Sequence, residues 1–533
     1  MGKNSDNSDK RLFNFGLMIF VVVLAFLGAY QNYYFGPVIV DGFQSAGAYA
    51  CGEGPLQLHW PFMDGFMGFD TEWGFHWPGW PAFRSCFSSV IPWNPFSEML
   101  LLALIWGVVS FAVAKKVSRW LGHPVFGFAS ALGMMTGPRY LVGALSYRPE
   151  IFGSLLLFIF ASSWVGLCRR SYRGYCVVTG SVSSLLLPIV IPEGVAVVAG
   201  FLIFWALMLK LREGAFGRVS DLRWISLAYV VGLMGLVGHF LIPDNTWTHL
   251  SENLAAQGEI PKGVFHTLRL AVLSKSDLGS WPLWLLGFVA AFKILWDEVR
   301  RIGKENVQRL DAINYWALAA SLMLLGITGV TFLTGNVNGL RLMVLTPWLV
   351  LLSAGVIKNV LESKLIDRRG FRLIFYGAAI GILVAPALFF TYRWSQWNTL
   401  NTYALRDRAA DCLRSLPDAR VTYIPIGLWE AAVEDDRRRE FRFATFPNLA
   451  LEDYRRSYEN HVYRDLQEGD LLVFDVIDDE GGGPFPNATK AKMQILSASV
   501  RDWSKWELVD EISYKVGDSK AFQRHWKVYR RKP

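Results

Sequence analysis

Apolar runs of bilayer length recur along the first three quarters of the chain. The first, from Leu12 to about Tyr34, has roughly the 20 residues a spanning helix needs. It lacks a clear small-residue cleavage site and reads as an anchor rather than a removed leader. Others lie at about 97–114, 122–143, 150–168, 175–191, 194–210, 224–242, 281–297, 313–333, 340–357 and 373–391, which predicts about eleven membrane-spanning helices. Residues 1–11 are polar and read as a disordered tail. Beyond about Tyr392 the period changes. Alternating runs occur at 421–427, 440–446, 470–477, 506–516 and 526–531, with helical patterns near 401–416, 449–460 and 489–501. These predict a small α/β domain over 393–533. The fold class expected is an α-helical polytopic membrane protein, its transmembrane domain over 12–392, with that domain appended.

Charge orients the spans. Only 18% of the 533 residues are charged, against about 25% in soluble domains. The basic residues fall between alternate spans: Lys115, Lys116 and Arg119; Arg169, Arg170 and Arg173; Lys210, Arg212, Arg218 and Arg223; Arg300, Arg301, Lys304 and Arg309; Lys358, Lys364, Arg368, Arg369 and Arg372. By the positive-inside rule these loops and the 1–11 tail are cytoplasmic. An odd number of spans then puts the C-terminal domain outside, along with loops 35–96, 138–150, 192–193, 243–280 and 334–339. The Ile191–Gly194 link is short enough to require a tight hairpin.

The loop 35–96 gathers aromatic residues, glycines and prolines around Asp41, Glu53, Asp64, Asp70 and Glu72. A connection this long is uncommon without a function. Asp41 also suits the N-cap of GFQSAGAYA, and the two His-Trp pairs suit an aromatic belt better than a metal site. Further ionisable residues expected on the outer side are Arg139, Arg148, Glu150, Lys262, His266, Arg269, Lys275 and Arg341. Charges at membrane depth are functional hypotheses by default. Carboxylates facing arginines across an outer surface suit one kind of chemistry, in which the arginines hold an anionic lipid-linked group while a carboxylate activates an acceptor. Five cysteines are too few for a disulfide framework. Cys51 and Cys86 share the outward loop, where a bridge between them is allowed; Cys168 and Cys176 read as reduced.

The order of a span, PVIVDGFQSAGAYACGEG, HWPGWPAF and a second span resembles the first outer loop of the GT-C glycosyltransferases, including the protein-mannosyltransferase and aminoarabinose-transferase types. YRPEIFGSLLLF (147–158) resembles an Arg-Pro-Glu entrance to the fourth span, and GNVNGLRLMVLTPWLVLLSAG (335–355) an Arg-bearing late span. The resemblance covers about the first 390 residues, and many members append a soluble outer domain. The chain departs from the pattern in two places. Gly42 follows Asp41 where the family usually has a second acid, leaving that role vacant or to Asp70 or Glu72. The His-Lys-Glu motif of the dolichol-dependent mannosyltransferase branch is absent ahead of Arg341.

The resemblance implies inverting transfer of a sugar from a polyprenyl-phosphate donor to a glycan, lipid or protein acceptor on the outer face, with no nucleic acid involved. Asp41 is then the base or an acceptor-orienting carboxylate, with Asp70 as second catalytic candidate. Arg148, Arg341 and Arg139 bind the donor phosphate, and Glu72, Glu150, Lys262 and His266 support them. Some members use a divalent metal and some do not; no ligand set stands out here. Two rival readings are a transporter or flippase of lipid-linked glycans and a non-catalytic assembly protein. The first would favour repeated halves with matching broken helices, and none is visible in the chain.

Overall fold

The computed structural model describes residues 2–35, 83, 95–137, 150–211, 216–241, 281–301, 311–333, 341–363, 369–388, 410–424, 440–443, 467–475, 503–515 and 523–533. Among them are eleven α-helices: α1 (Gly2–Phe35), α2 (Pro95–Leu121), α3 (Pro124–Thr136), α4 (Glu150–Cys168), α5 (Arg173–Val190), α6 (Pro192–Leu211), α7 (Val219–Leu241), α8 (Trp281–Arg301), α9 (Ala312–Leu333), α10 (Thr346–Leu361) and α11 (Arg369–Val384). Every apolar run predicted as a span therefore contains a helix among the described residues. Eight of the helices are long and apolar enough to cross a membrane: α1, α2, α4, α5, α6, α7, α9 and the Met343–Leu361 segment that contains α10. The chain is an integral, multi-pass membrane protein. The expected count of eleven spans is not reached by this measure.

Three sequence expectations change in detail. The 1–11 tail, read as disordered, is helical from Gly2. Once the apolar run has nucleated a helix, each added residue costs little. Of the 122–143 run, the described residues form the 13-residue α3. Gly137 leaves it in an extended conformation, the conformation favoured before Pro138. The 340–357 run is two elements, a tight 3-10 turn (Arg341–Leu345) and then α10, whose first turn carries Pro347. Proline there lacks an N–H that the helix start would leave unpaired in any case.

Short connections set the helix neighbours. Gly122, at φ +70°, closes α2. His123 then caps α3, its Nδ1 accepting from the Val125 N–H at 3.3 Å. Between α4 and α5 the chain turns through left-handed Arg170 and Tyr172, and Ser171 N–H donates to the Gly166 carbonyl at 2.9 Å. The link from α5 to α6 is Ile191 alone, and the two helices pack together as the expected hairpin. At the other end of α5, Arg173 Nε donates to Asp221 Oδ1 on α7 at 2.8 Å, and Asp221 is 2% exposed.

Helix α4 is central. It packs against α2, α5, α9 and the Arg341–Leu345 turn, and most of its residues are buried. Without water-driven association, membrane helices are held largely by close packing at small residues. Glycines do this here: a Cβ on Gly232 of α7 would collide with the Leu185 carbonyl of α5, and one on Gly133 of α3 with the Leu383 carbonyl of α11.

All five alternating runs are strands: β1 (Val421–Ile424), β2 (Glu440–Phe443), β3 (Leu471–Asp475), β4 (Trp506–Lys515) and β5 (Gln523–Arg531). They form one mixed sheet in the order β2-β1-β3-β5-β4. β1 lies between two parallel neighbours and is buried along its whole length, as such strands usually are. β4 and β5 make the antiparallel hairpin, with a bulge between Leu508 and Asp510. Asp470, wholly buried, ties three segments together. It accepts from Arg420 at 2.8 Å, Val421 N–H at 3.3 Å and Gln467 N–H at 2.9 Å. Residues 410–415 are helical, within the predicted 401–416 segment; the other two helical patterns lie outside the described residues.

Candidate active site

Glu150 opens α4 directly after Pro149. An acidic first turn is favoured by the positive end of the helix, which explains a glutamate there but not its burial. Glu150 is 7% exposed, and its Oε2 has no hydrogen-bond partner among the described residues. Its backbone carbonyl accepts from Ser154 Oγ at 2.8 Å. A carboxylate kept from water without a matching donor is costly, and in a membrane protein such a group is a functional hypothesis by default.

Three elements pack against α4. Phe152, two residues into the helix from Glu150, stacks on Phe83 with ring centroids 4.4 Å apart. Gly153 has no space for a Cβ because Ile191 fills it. That brings the α5–α6 link to the same place, and Glu193, in the first turn of α6, is 2% exposed. The turn begun by Arg341 packs against α4, α9 and α10, with Met343, Val344 and Leu345 buried. One turn into α10, Trp348 stacks on Phe158 of α4 at 6.0 Å. The backbone of Arg341 is thus seated against the helix that Glu150 opens.

Of the residues singled out in sequence, the structure places Glu150 and the backbone of Arg341. Asp41, Asp70, Glu72, Arg139, Arg148, Lys262 and His266 lie outside the described residues, as do Cys51 and Cys86. Cys168, Cys176 and Cys412 are free and buried.

Sequence reasoning passed over Gln31. It is 1% exposed, and neither its amide nitrogen nor its amide oxygen has a hydrogen-bond partner among the described residues. It sits near the end of α1, beyond Phe26, whose ring meets Phe96 of α2 at 5.8 Å. The chain continues from there into the loop that carries Asp41. The available signal was a pair of carboxamides, Gln31-Asn32, near the end of an apolar run. Among the described residues no group of three His, Cys, Asp or Glu side chains is arranged to hold a metal ion.

No protein-family model matches the chain, and no curated protein matches it by sequence. Solved structures do. The chain is similar to the archaeal oligosaccharyltransferase AglB from Archaeoglobus fulgidus in complex with an inhibitory peptide and a dolichol-phosphate. The TM-score is 0.50 at 10% identity, over 92% of this chain and 72% of that one. The oligosaccharyltransferase from the same organism in its apo form gives 0.47 at 10% identity, over 90% and 72%. Its complex with Zn and sulfate gives 0.47 at 13% identity, over 93% and 72%. At 10% identity the likeness to the peptide complex shows a similar fold alone. It does not select the protein-mannosyltransferase or aminoarabinose-transferase branch.

Proposed function

We propose that this protein is an integral-membrane glycosyltransferase that moves a sugar from a polyprenyl-phosphate donor to a glycan, lipid or protein acceptor on the outer face of the membrane. The observation that carries the reading is the buried carboxylate of Glu150 at the start of α4, a helix against which Phe83 of the long loop and the Arg341 turn both pack. The fold shared with AglB, a protein solved with a dolichol-phosphate and a peptide, supports it.

The chemistry assigns the roles. A polyprenyl phosphate keeps its tail in the bilayer, so its charged head lies at the interface. There an arginine pairs with phosphate in a fork geometry that lysine cannot match. Arg341, Arg148 and Arg139 take that role. Asp41 stands across the sugar from the phosphate, where it is not repelled, and takes the acceptor's proton. The acceptor then attacks the anomeric carbon, the bond from that carbon to the phosphate oxygen breaks, and polyprenyl phosphate leaves with its electron pair. Asp70 is the second carboxylate candidate. Glu72, Glu150, Lys262 and His266 support the site.

The test uses the full chain in lipid discs with synthetic polyprenyl-phosphate sugars of differing head group, read as acceptor-dependent release of free polyprenyl phosphate. Asp41→Asn lowers turnover by roughly two to four orders of magnitude, the range for losing a general base, and leaves donor binding intact. Arg341→Ala weakens donor binding first. Asp41→Asn working at the parent rate removes Asp41 as the base and makes Asp70 the leading candidate. Failure of the parent to release phosphate from any donor sinks the enzymatic reading.

A further inference from the structure

The opposite end of the bundle holds a cation that topology does not explain. Lys116 lies more than a turn inside the end of α2 and is half-buried. A lysine near a membrane surface ordinarily extends its stem so that the ammonium reaches water. Lys116 instead lays its Nζ 3.7 Å from the ring centroid of Trp316 on α9 and 6.0 Å from that of Phe158 on α4. Trp316 is itself buried and stacks on Phe158 at 5.4 Å, so the aromatic face is fixed in place. The charges acting on Lys116 are those of Arg119, Lys115 and Arg169, all positive. Arg119, in the last turn of α2, is accounted for by the helix end, whose partial negative charge favours cations. Lys116 is not, because that effect fades within one turn.

We propose that Lys116, with Lys115, Arg119 and Arg169 around it, forms a binding site for the phosphate of an anionic phospholipid, set between α2, α4 and α9 at the basic end of the bundle. A π-face satisfies one side of an ammonium, and its three N–H donors still want acceptors. Three basic residues gathered around a lysine that lies on an aromatic face, with no acid acting on it among the described residues, call for an anion. A lipid phosphate arrives at that depth already attached to acyl chains, and basic pockets between spans on the cytoplasmic side are a recurring form of lipid recognition. The site lies on the side of the bundle that the basic loops define and does not depend on the transfer reaction proposed above.

The full chain is placed in discs of phosphatidylcholine alone and of an equimolar mixture with phosphatidylglycerol. Unfolding midpoint and lipid retained on gentle ionisation are then measured. The parent retains phosphatidylglycerol and melts higher in the mixture. Lys116→Met, which keeps the apolar stem, loses the rise and retains the lipid about five-fold less well, the loss of one lysine–anion contact at a membrane surface. Lys116→Arg keeps both. Inorganic phosphate added to phosphatidylcholine discs gives no rise. A parent indifferent to phosphatidylglycerol overturns the proposal, as does Lys116→Met gaining as much as the parent. A rise with inorganic phosphate alone overturns the lipid as the source of the anion. The parent's own lipid dependence decides the matter if Lys116→Met does not fold.

Discussion

Glu150 and Cys412 show two kinds of buried titratable side chain, and they predict opposite behaviour on substitution. Glu150 keeps an oxygen buried without a partner among the described residues, a cost natural sequences tolerate mainly where function requires it. Glu150→Gln keeps the shape and removes the charge. Its unfolding midpoint is expected to be no lower than the parent's, while transfer falls by about a hundredfold, the scale of a small misplacement at a reacting centre. A variant that melts markedly lower would make Glu150 a structural residue. Cys412, in the 410–415 helix and 2% exposed, is inert by contrast. Burial, with the charge of Asp510 adding to it, pushes its thiol up to about 12. Because the folded value is raised, the stability it contributes is fully present below about pH 8.5, the ordinary thiol value. It is lost as pH rises toward 12. With Cys51 and Cys86 replaced by serine, native protein at pH 8 is expected to take up no maleimide at Cys412 and denatured protein to take it up fully. Labelling of Cys412 in native protein would show that this side chain opens.

Among the elements, helices and strands were readable because their lengths are dictated from outside. A span must match the bilayer, and a half-buried strand must alternate; both periods stand in the residues. What lay between was less readable. Pro347 marks a helix start, yet the apolar run passes through it unbroken, so the 3-10 turn at Arg341 was absorbed into a single span. The depth of Lys116 was hidden for a similar reason: near the end of an apolar run, a snorkelling lysine and one folded onto an indole have the same sequence. The site itself was read only by its residue types, since which helix meets which depends on glycine contacts such as Gly232 against Leu185. That contact can be tested. Gly232→Leu forces α5 and α7 apart and should cost about 1–3 kcal/mol, as overpacking does in other cores. It should appear as a lower unfolding midpoint in detergent, with Gly238→Leu, where a Cβ meets open space, as the unaffected control. Equal losses in both would mean that the glycines matter for helix conformation rather than for packing.

For the whole molecule the governing question is which side each end of the bundle faces. The catalytic proposal needs Glu150 and Arg341 outside, the orientation that the alternation of basic loops predicts. Glu150 lies where α4 begins and Glu193 where α6 begins, whereas Lys116 lies near the end of α2, Arg169 just after α4, and the Arg173–Asp221 pair where α5 and α7 begin. Helices joined by links as short as Ile191 and Arg169–Tyr172 must reverse direction, so fixing one loop fixes its neighbours. The buried native thiols Cys168, Cys176 and Cys412 leave little background for labelling once Cys51 and Cys86 are serine. In that variant single cysteines are introduced at Asp478, after β3, and at Lys304, after α8. A membrane-impermeant maleimide applied to intact cells is expected to label the Asp478 position and to reach Lys304 only after permeabilisation. Labelling of Lys304 from outside would invert the bundle, place Glu150 and Arg341 on the cytoplasmic side, and end the proposal that transfer takes place on the outer face.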